Sequence, residues 1–206
     1  MRTEINELLD KIQALEHELE VQLAEKRHTY GYRLEQGRLF ITHEAQERQK
    51  ALKLGLRRYL IDSGVLTILT APFIYAVGIP VFALDVVASL YQAVCFRVYG
   101  VSQVKRRDYV VFDRHRLPYL NMIQKVNCFY CSYANGVIAY VHEIASRTEQ
   151  YWCPIKHAER LTGTHRRYGE FLEYGDVGEY PQSLERQRQR LRDEGDPPPG
   201  PDIPPS

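Results

Sequence analysis

Catalytic signatures are the first thing this chain lacks: its 206 residues contain no glycine-rich phosphate loop, no G-x-S-x-G elbow and no H-E-x-x-H pair. A surplus of one charge is lacking too. Lys and Arg number 27 against 26 Asp and Glu, a formal net charge of +1, which argues against nucleic acid as a partner, since a phosphate backbone is held by excess cations. Met1 to Glu20 is charged throughout, with no apolar core followed by small residues, so no secretory leader is expected and the N-terminus is expected to stay in the cytoplasm. Cysteine is scarce, at four residues. In that compartment they are not expected to form a disulfide framework, which leaves metal binding, redox chemistry or packing.

One absence is local and says more. From Gly64 to Phe96 the chain runs for 33 residues with Asp85 as its only charge, although its mean hydropathy of −0.40 would suit a soluble protein. As one straight helix this stretch would measure roughly 50 Å, against a hydrocarbon core of about 30 Å. Pro72, Gly78 and Pro80 lie near its middle, so the expectation is a membrane helical hairpin, re-entrant or thinly spanning, bent at Gly78-Ile79-Pro80. Cations cluster at both ends: Lys50, Lys53, Arg57 and Arg58 before it, Lys105, Arg106 and Arg107 after it. By the positive-inside rule both mouths, and the polar regions beyond them, should face the cytoplasm. The same cations suit anionic headgroups. Asp85, five residues after Pro80, reads as an interfacial or helix-capping carboxylate rather than a transport group, and Cys95 as packing.

The remainder divides by pattern, giving a mainly α fold class. Residues 1–29 are expected to form an amphipathic or coiled-coil helix, because Ile5, Leu8, Ile12, Leu15 and Leu19 alternate at three and four. Residues 30–42 suit a short β-hairpin with Gly37 in its turn, and 43–60 a charged helix behind Thr42. After the membrane hairpin of 61–101, residues 102–180 should form a cytoplasmic helical Cys/His module. Within it, Asp108–Asp113 is extended, Pro118 opens a helix, and Asn135-Gly136 breaks the run before a second helix from Val137. Residues 181–206 read as a charged, proline-rich disordered tail, with room for a short helix at Leu184–Arg192.

Cys128-x-x-Cys131 with Cys153-x-x-x-His157 supplies the ligands of a Cys3His site for zinc or, less readily, an iron–sulfur cluster. The two pairs meet only if the chain reverses near Asn135-Gly136, or if two protomers pair antiparallel. A second arrangement, two antiparallel helices, would put the CxxC at their connecting end and gather Asp113, His115, Cys153 and His157 at the other. That would open two enzymatic alternatives: a thiol oxidoreductase using Cys128 and Cys131, whose pKa a helix N-terminus would lower, or a metal-dependent, lipid-directed hydrolase using His115, Asp113 and His157.

The blocks Phe112–Asn121, Asn127–Gly136 and Gln150–His157, with Leu69–Tyr75 further back, resemble a group of bacterial membrane-associated proteins to which no activity is attached. The resemblance covers about half the chain and implies a bacterial cytoplasmic (inner) membrane protein, but no function. Taken together, the residues point to a noncatalytic, membrane-anchored binding or scaffold protein. Its partners would be the lipid bilayer and, through the N-terminal helix, another protein or a second copy.

Overall fold

The structure is a computed structural model that describes residues 32–35, 38–176, 178 and 180–194, with further positions between Lys11 and Lys26. Most of the expected 1–29 helix lies outside the described residues; its described positions from Lys11 onward are helical. The chain separates into two compact units, the first within residues 1–54 and the second over 55–117 and 121–199.

In the first unit, β1 (Tyr32–Glu35) and β2 (Arg38–Ile41) pair antiparallel, with Tyr32 opposite Ile41 and Glu35 opposite Arg38. Helix α1 (His43–Ala51) follows, its first turn capped by the Thr42 hydroxyl, which accepts from the Ala45 amide at 3.4 Å. It buries none of its side chains. The charged helix expected over 43–60 is therefore two helices, with a break at Leu52–Gly55.

The second unit opens with α2 (Leu56–Ser63), whose Leu56, Tyr59 and Leu60 lie opposite Arg57, Arg58 and Asp62. Gly64, at φ +74°, makes the turn into α3 (Val65–Ala76). Helix α4 (Gly78–Tyr99) continues α3 along the same line: Val77 is itself right-handed helical at φ −62° and ψ −23°, and the Val81 amide donates to its carbonyl at 3.3 Å. Val65–Tyr99 is thus one helix of 35 residues, long and apolar enough to cross a membrane, where a hairpin was expected. The bend fails because neither proline reverses the chain; each removes one amide and leaves the next turn intact. Gly78 has another use. A side chain there would press on the Tyr130 ring, its Cβ falling 3.1 Å from Cε2.

Helix α5 (Met122–Trp152) is the second long rod. It starts four residues after Pro118 and is capped by Asn121, whose side chain accepts from the Gln124 amide while the Gln124 side chain accepts from the Asn121 amide, each at 2.9 Å. It runs straight through Asn135-Gly136, contrary to the expected break. The glycine is needed because the chain passes directly over it: a Cβ at Gly136 would lie 2.7 Å from the Tyr109 carbonyl oxygen and 2.9 Å from the Val110 Cα.

Helices α4 and α5 lie side by side and parallel. Tyr75 meets Asn127 and Tyr130, Gln92 meets Tyr140, Tyr91 meets Thr148, and Tyr99 stacks on Tyr151. A parallel pair needs a return crossing, and residues 100–117 supply it as a strap along the α4–α5 groove. Gly100, at φ +69°, ends α4. Val104 then pairs with Gln92, Arg106 with Asp85, and Phe112 stacks on Phe129 at 4.4 Å. Asp108 closes a 3₁₀ turn and the residues after it are irregular, where an extended piece was expected. Finally α6 (Tyr180–Asp193) packs on the other end of α5 through Ser183, Gln187 and Leu191. The first half of the expected disordered tail is therefore a docked helix; residues 195–206 lie outside the described residues.

Candidate functional site

The groups that give α4 its character are divided between its two sides. Its buried side carries Val81, Asp85, Ala88, Gln92 and Phe96, at spacings of four and three. Asp85 is held by Arg106, which donates through Nε at 2.9 Å and Nη2 at 2.7 Å, and by the Tyr133 hydroxyl at 3.0 Å. Two parallel bonds from a guanidinium satisfy the carboxylate where it is out of water. Gln92 donates to the Val104 carbonyl at 3.2 Å and to Tyr140, and accepts from the Val104 amide at 2.9 Å. Ser89 completes this seam with a 3.2 Å bond to Tyr140. Asp85 is thus a buried carboxylate paired with the strap, where an interfacial or helix-capping carboxylate was expected.

The outward side of the same helix carries Ile79, Phe82, Val86, Leu90, Val94 and Val98, all exposed. Helix α3 goes further and buries no side chain at all, leaving Leu66 80% and Phe73 77% exposed. An exposed apolar surface this long marks an interaction surface, for lipid or for another protein. Arg97 stands in the last turn of α4, and Arg57 and Arg58 on α2, before α3.

A different kind of site lies at the C-terminal half of α5. Glu143, largely buried, accepts from Arg147 Nε and Arg167 Nη2, both at 2.9 Å. Arg167 also reaches Gln150 at 3.1 Å and Glu194, and Gln150 donates to Gln187 on α6 at 3.0 Å. Burial alone would push the Glu143 carboxyl up, but bonds and charge from Arg167 and Arg147 outweigh it and hold it below the usual carboxylate range. Burial opposes the charge of Arg167 as well, yet Glu194 and Glu143 keep it firmly protonated. Sequence reasoning missed this network. The Glu143/Arg147 spacing of four was its only visible signal; Arg167 and Glu194 are remote in the chain.

The expected ligands are not brought together. All four cysteines are free thiols, and because α5 is unbroken, Cys131 and Cys153 are separated by 22 residues of helix, roughly 33 Å. Among the described residues no group of three or more His, Cys, Asp or Glu side chains could hold a metal ion. The single-chain Cys3His centre of Cys128, Cys131, Cys153 and His157 is therefore not assembled. Nor is the second cluster. Asp113 and His115 follow Phe112 at the Phe129 level of α5, whereas Cys153 and His157 lie beyond its C-terminal end, where the His157 amide donates to the Tyr168 hydroxyl at 2.6 Å. The CxxC also sits inside a helix, six residues after its start, so no free amides at a helix N-terminus activate its thiols.

Comparison with protein-family models, with curated proteins and with solved structures finds no match for this chain.

Proposed function

We propose that the protein is a noncatalytic, membrane-anchored binding or scaffold protein, held at the bacterial cytoplasmic membrane through α3 and α4 with its polar regions on the cytoplasmic side. One observation carries the reading: α4 holds Asp85 and Gln92 against protein and turns a continuous apolar stripe, Ile79 to Val98, outward. In water that arrangement leaves apolar surface exposed along the whole rod, whereas in lipid each group lies where its solvation favours it. Arg57, Arg58 and Arg107 near the ends of the apolar stretch suit anionic headgroups, each cation contributing about 1 kcal/mol near the surface.

The binding role rests on the N-terminal segment, whose described Leu15 and Leu19 are 65% and 57% exposed and one helical turn apart. Such a seam is stabilised by a partner helix or a second copy. The hydrolase alternative lacks its cluster, because Asp113 and His115 lie at the Phe129 level of α5 and His157 beyond its C-terminal end, while Cys128 and Cys131 stand one helical turn apart in the interior of α5. The cysteine and histidine pairs could share zinc only between two chains, and less than about 0.2 equivalents of metal in purified protein would dismiss that part of the reading. The anchor is tested by fractionation. The protein should stay with membranes through a carbonate wash and leave only with detergent; a monodisperse, detergent-free soluble species would overturn the proposal. In detergent, Leu15→Asp with Leu19→Asp should reduce the assembly to monomer.

A further inference from the structure

A helix of 35 residues that is apolar enough to cross a bilayer invites a transmembrane reading, but its neighbours oppose one. Only Val65–Leu84 is free of charge for long enough: 20 residues, about 30 Å, the thickness of the hydrocarbon core. Crossing there would set Tyr75 near the bilayer centre. Level with Tyr75 on α5 is Asn127, joined to it by a hydrogen bond, and one turn on the Tyr130 hydroxyl donates to the Ile74 carbonyl at 2.6 Å. Between those two positions Phe129 carries Phe112 of the strap, and the strap continues at once into Asp113, Arg114, His115 and Arg116, a turn packed on α5 with all four side chains exposed. A crossing would therefore carry these charges into the hydrocarbon. Sliding the span toward the N-terminus brings in Arg58 and Asp62, and sliding it the other way brings in Arg107, whose side chain is 81% exposed.

Placed flat, the same rod meets no such conflict. From Tyr75 to Tyr99 the polar strap and α5 cover one side, and the outward side offers Ile79, Phe82, Val86, Leu90 and Val94 without a charged residue among them. Arg97, at its end, can reach headgroups on its aliphatic stem. Before the turn at Gly64, α2 carries its own apolar stripe with Arg57 and Arg58 opposite, the pattern of a helix lying in the interface.

We infer that the 35-residue apolar helix lies within one leaflet and does not cross the membrane, so that everything on either side of it faces the same compartment. This rests on the anchoring reading above and specifies its geometry. Helix α3, apolar on every side, sinks below the headgroups, while α4 exposes its outer stripe to acyl chains and carries α5 and the strap above it as a polar lid.

The test uses the full chain with its four cysteines replaced by serine and single spin labels at the exposed positions Leu66, Phe82, Leu90 and Val98. It is reconstituted in vesicles of phosphatidylethanolamine with phosphatidylglycerol. Depth is read from collisions with oxygen and with a water-soluble nickel chelate. A flat helix gives no progressive change of depth from Phe82 through Leu90 to Val98, only a spread of up to about 10 Å set by the side of the helix each label occupies. A crossing helix changes depth by 1.5 Å per residue, about 24 Å from Phe82 to Val98, and that gradient would overturn the inference while leaving the anchor intact. Water-like accessibility at all four labels, with protein that floats free of vesicles, would remove the anchor itself. Labels shielded from both reagents, in a species of doubled mass, would show that a second copy covers the stripe and would overturn the leaflet assignment. Arg58→Cys and Arg107→Cys supply an independent reading. An impermeant maleimide should modify both from one side of sealed vesicles, and modification from opposite sides would overturn the inference.

Discussion

Helices α4 and α6 pack against the same partner, α5, and differ in what they turn away from it. On α6 the buried positions are Ser183, Gln187 and Leu191, and the outward side is lined with Glu185, Arg186, Gln189 and Arg190, as for a helix on a protein in water. On α4 the polar groups Asp85 and Gln92 face inward and the outward side is aliphatic. Both helices bury a mixture of polar and apolar side chains against α5, so the contrast lies in the outward faces, charged on α6 and aliphatic on α4. Polar groups that go inward must satisfy each other, as Asp85 does with Arg106 and Tyr133 and Gln187 does with Gln150.

The largest expected effect tests whether the inward side of α4 also has a packed core. Phe96, 1% exposed, lies in a cluster with Tyr140, Ile144 and Leu191, where α4, α5 and α6 converge. Phe96→Ala should lower unfolding stability in detergent by about 4 kcal/mol. A loss under 1 kcal/mol would mean that the two helices do not share this core.

Next comes the network at the α6 end. Glu143→Gln keeps the shape but leaves Arg147 and Arg167, each under a tenth exposed, with a neutral acceptor, and should cost about 2 kcal/mol. Its pH dependence has a defined sign. Because the folded carboxyl titrates below its ordinary value of 4.5, the stabilisation it provides is complete above that pH in the wild type. It is lost as pH falls through the folded value, where the native state must take up the proton. Wild type and Glu143→Gln should therefore converge in stability below about pH 4.5; a constant gap across that range would show that the carboxylate's charge contributes nothing.

The middle of the groove is tested by Gly136→Ala. Its added Cβ would need the Tyr109–Val110 backbone to move, at a cost of about 2 kcal/mol. Gly169→Ala, with open space around it, is the control. Equal effects at the two glycines would show that the strap does not pass over α5 as described. Asp85→Asn should have a smaller effect, about 1 kcal/mol, since the Arg106 side chain is 43% exposed and solvent screens the pair. Its diagnostic readout is local: faster hydrogen exchange confined to the strap around Arg106.

What could be read from the sequence follows the same division. The apolar stretch was legible because 33 residues with one charge stand out in a chain otherwise rich in charge, and the mainly helical character followed from spacing. The path of the chain was not legible. Pro72, Gly78 and Pro80 suggested a reversal, yet Gly78 makes room for Tyr130. Asn135-Gly136 suggested a break, yet Gly136 makes room for the strap. A glycine needed for close approach and one needed for a turn look alike until the neighbouring segment is placed. The Cys/His set failed for the same reason: four ligands with suitable spacing share a site only if the chain folds back, and an unbroken α5 keeps Cys128 and Cys131 far from Cys153 and His157. The polar pairs that do form, Asp85 with Arg106 and Glu143 with Arg167, join segments 21 and 24 residues apart with no local periodicity to announce them.

The smallest expected effect on stability is the one that separates the two solvents most directly. Leu90 is 62% exposed on the outward side of α4, two residues from buried Gln92 on the inward side. Leu90→Ala removes no packed neighbour, so unfolding stability in detergent should stay within about 0.5 kcal/mol of wild type. Lipid is a different matter. The lost side chain carries close to 2 kcal/mol of transfer free energy when buried in an apolar phase, so vesicle partitioning should fall by up to about an order of magnitude, and Leu90→Ala with Val94→Ala further still. If both variants partition as the wild type does, the outward stripe does not meet acyl chains, and α4 must be covered by protein instead.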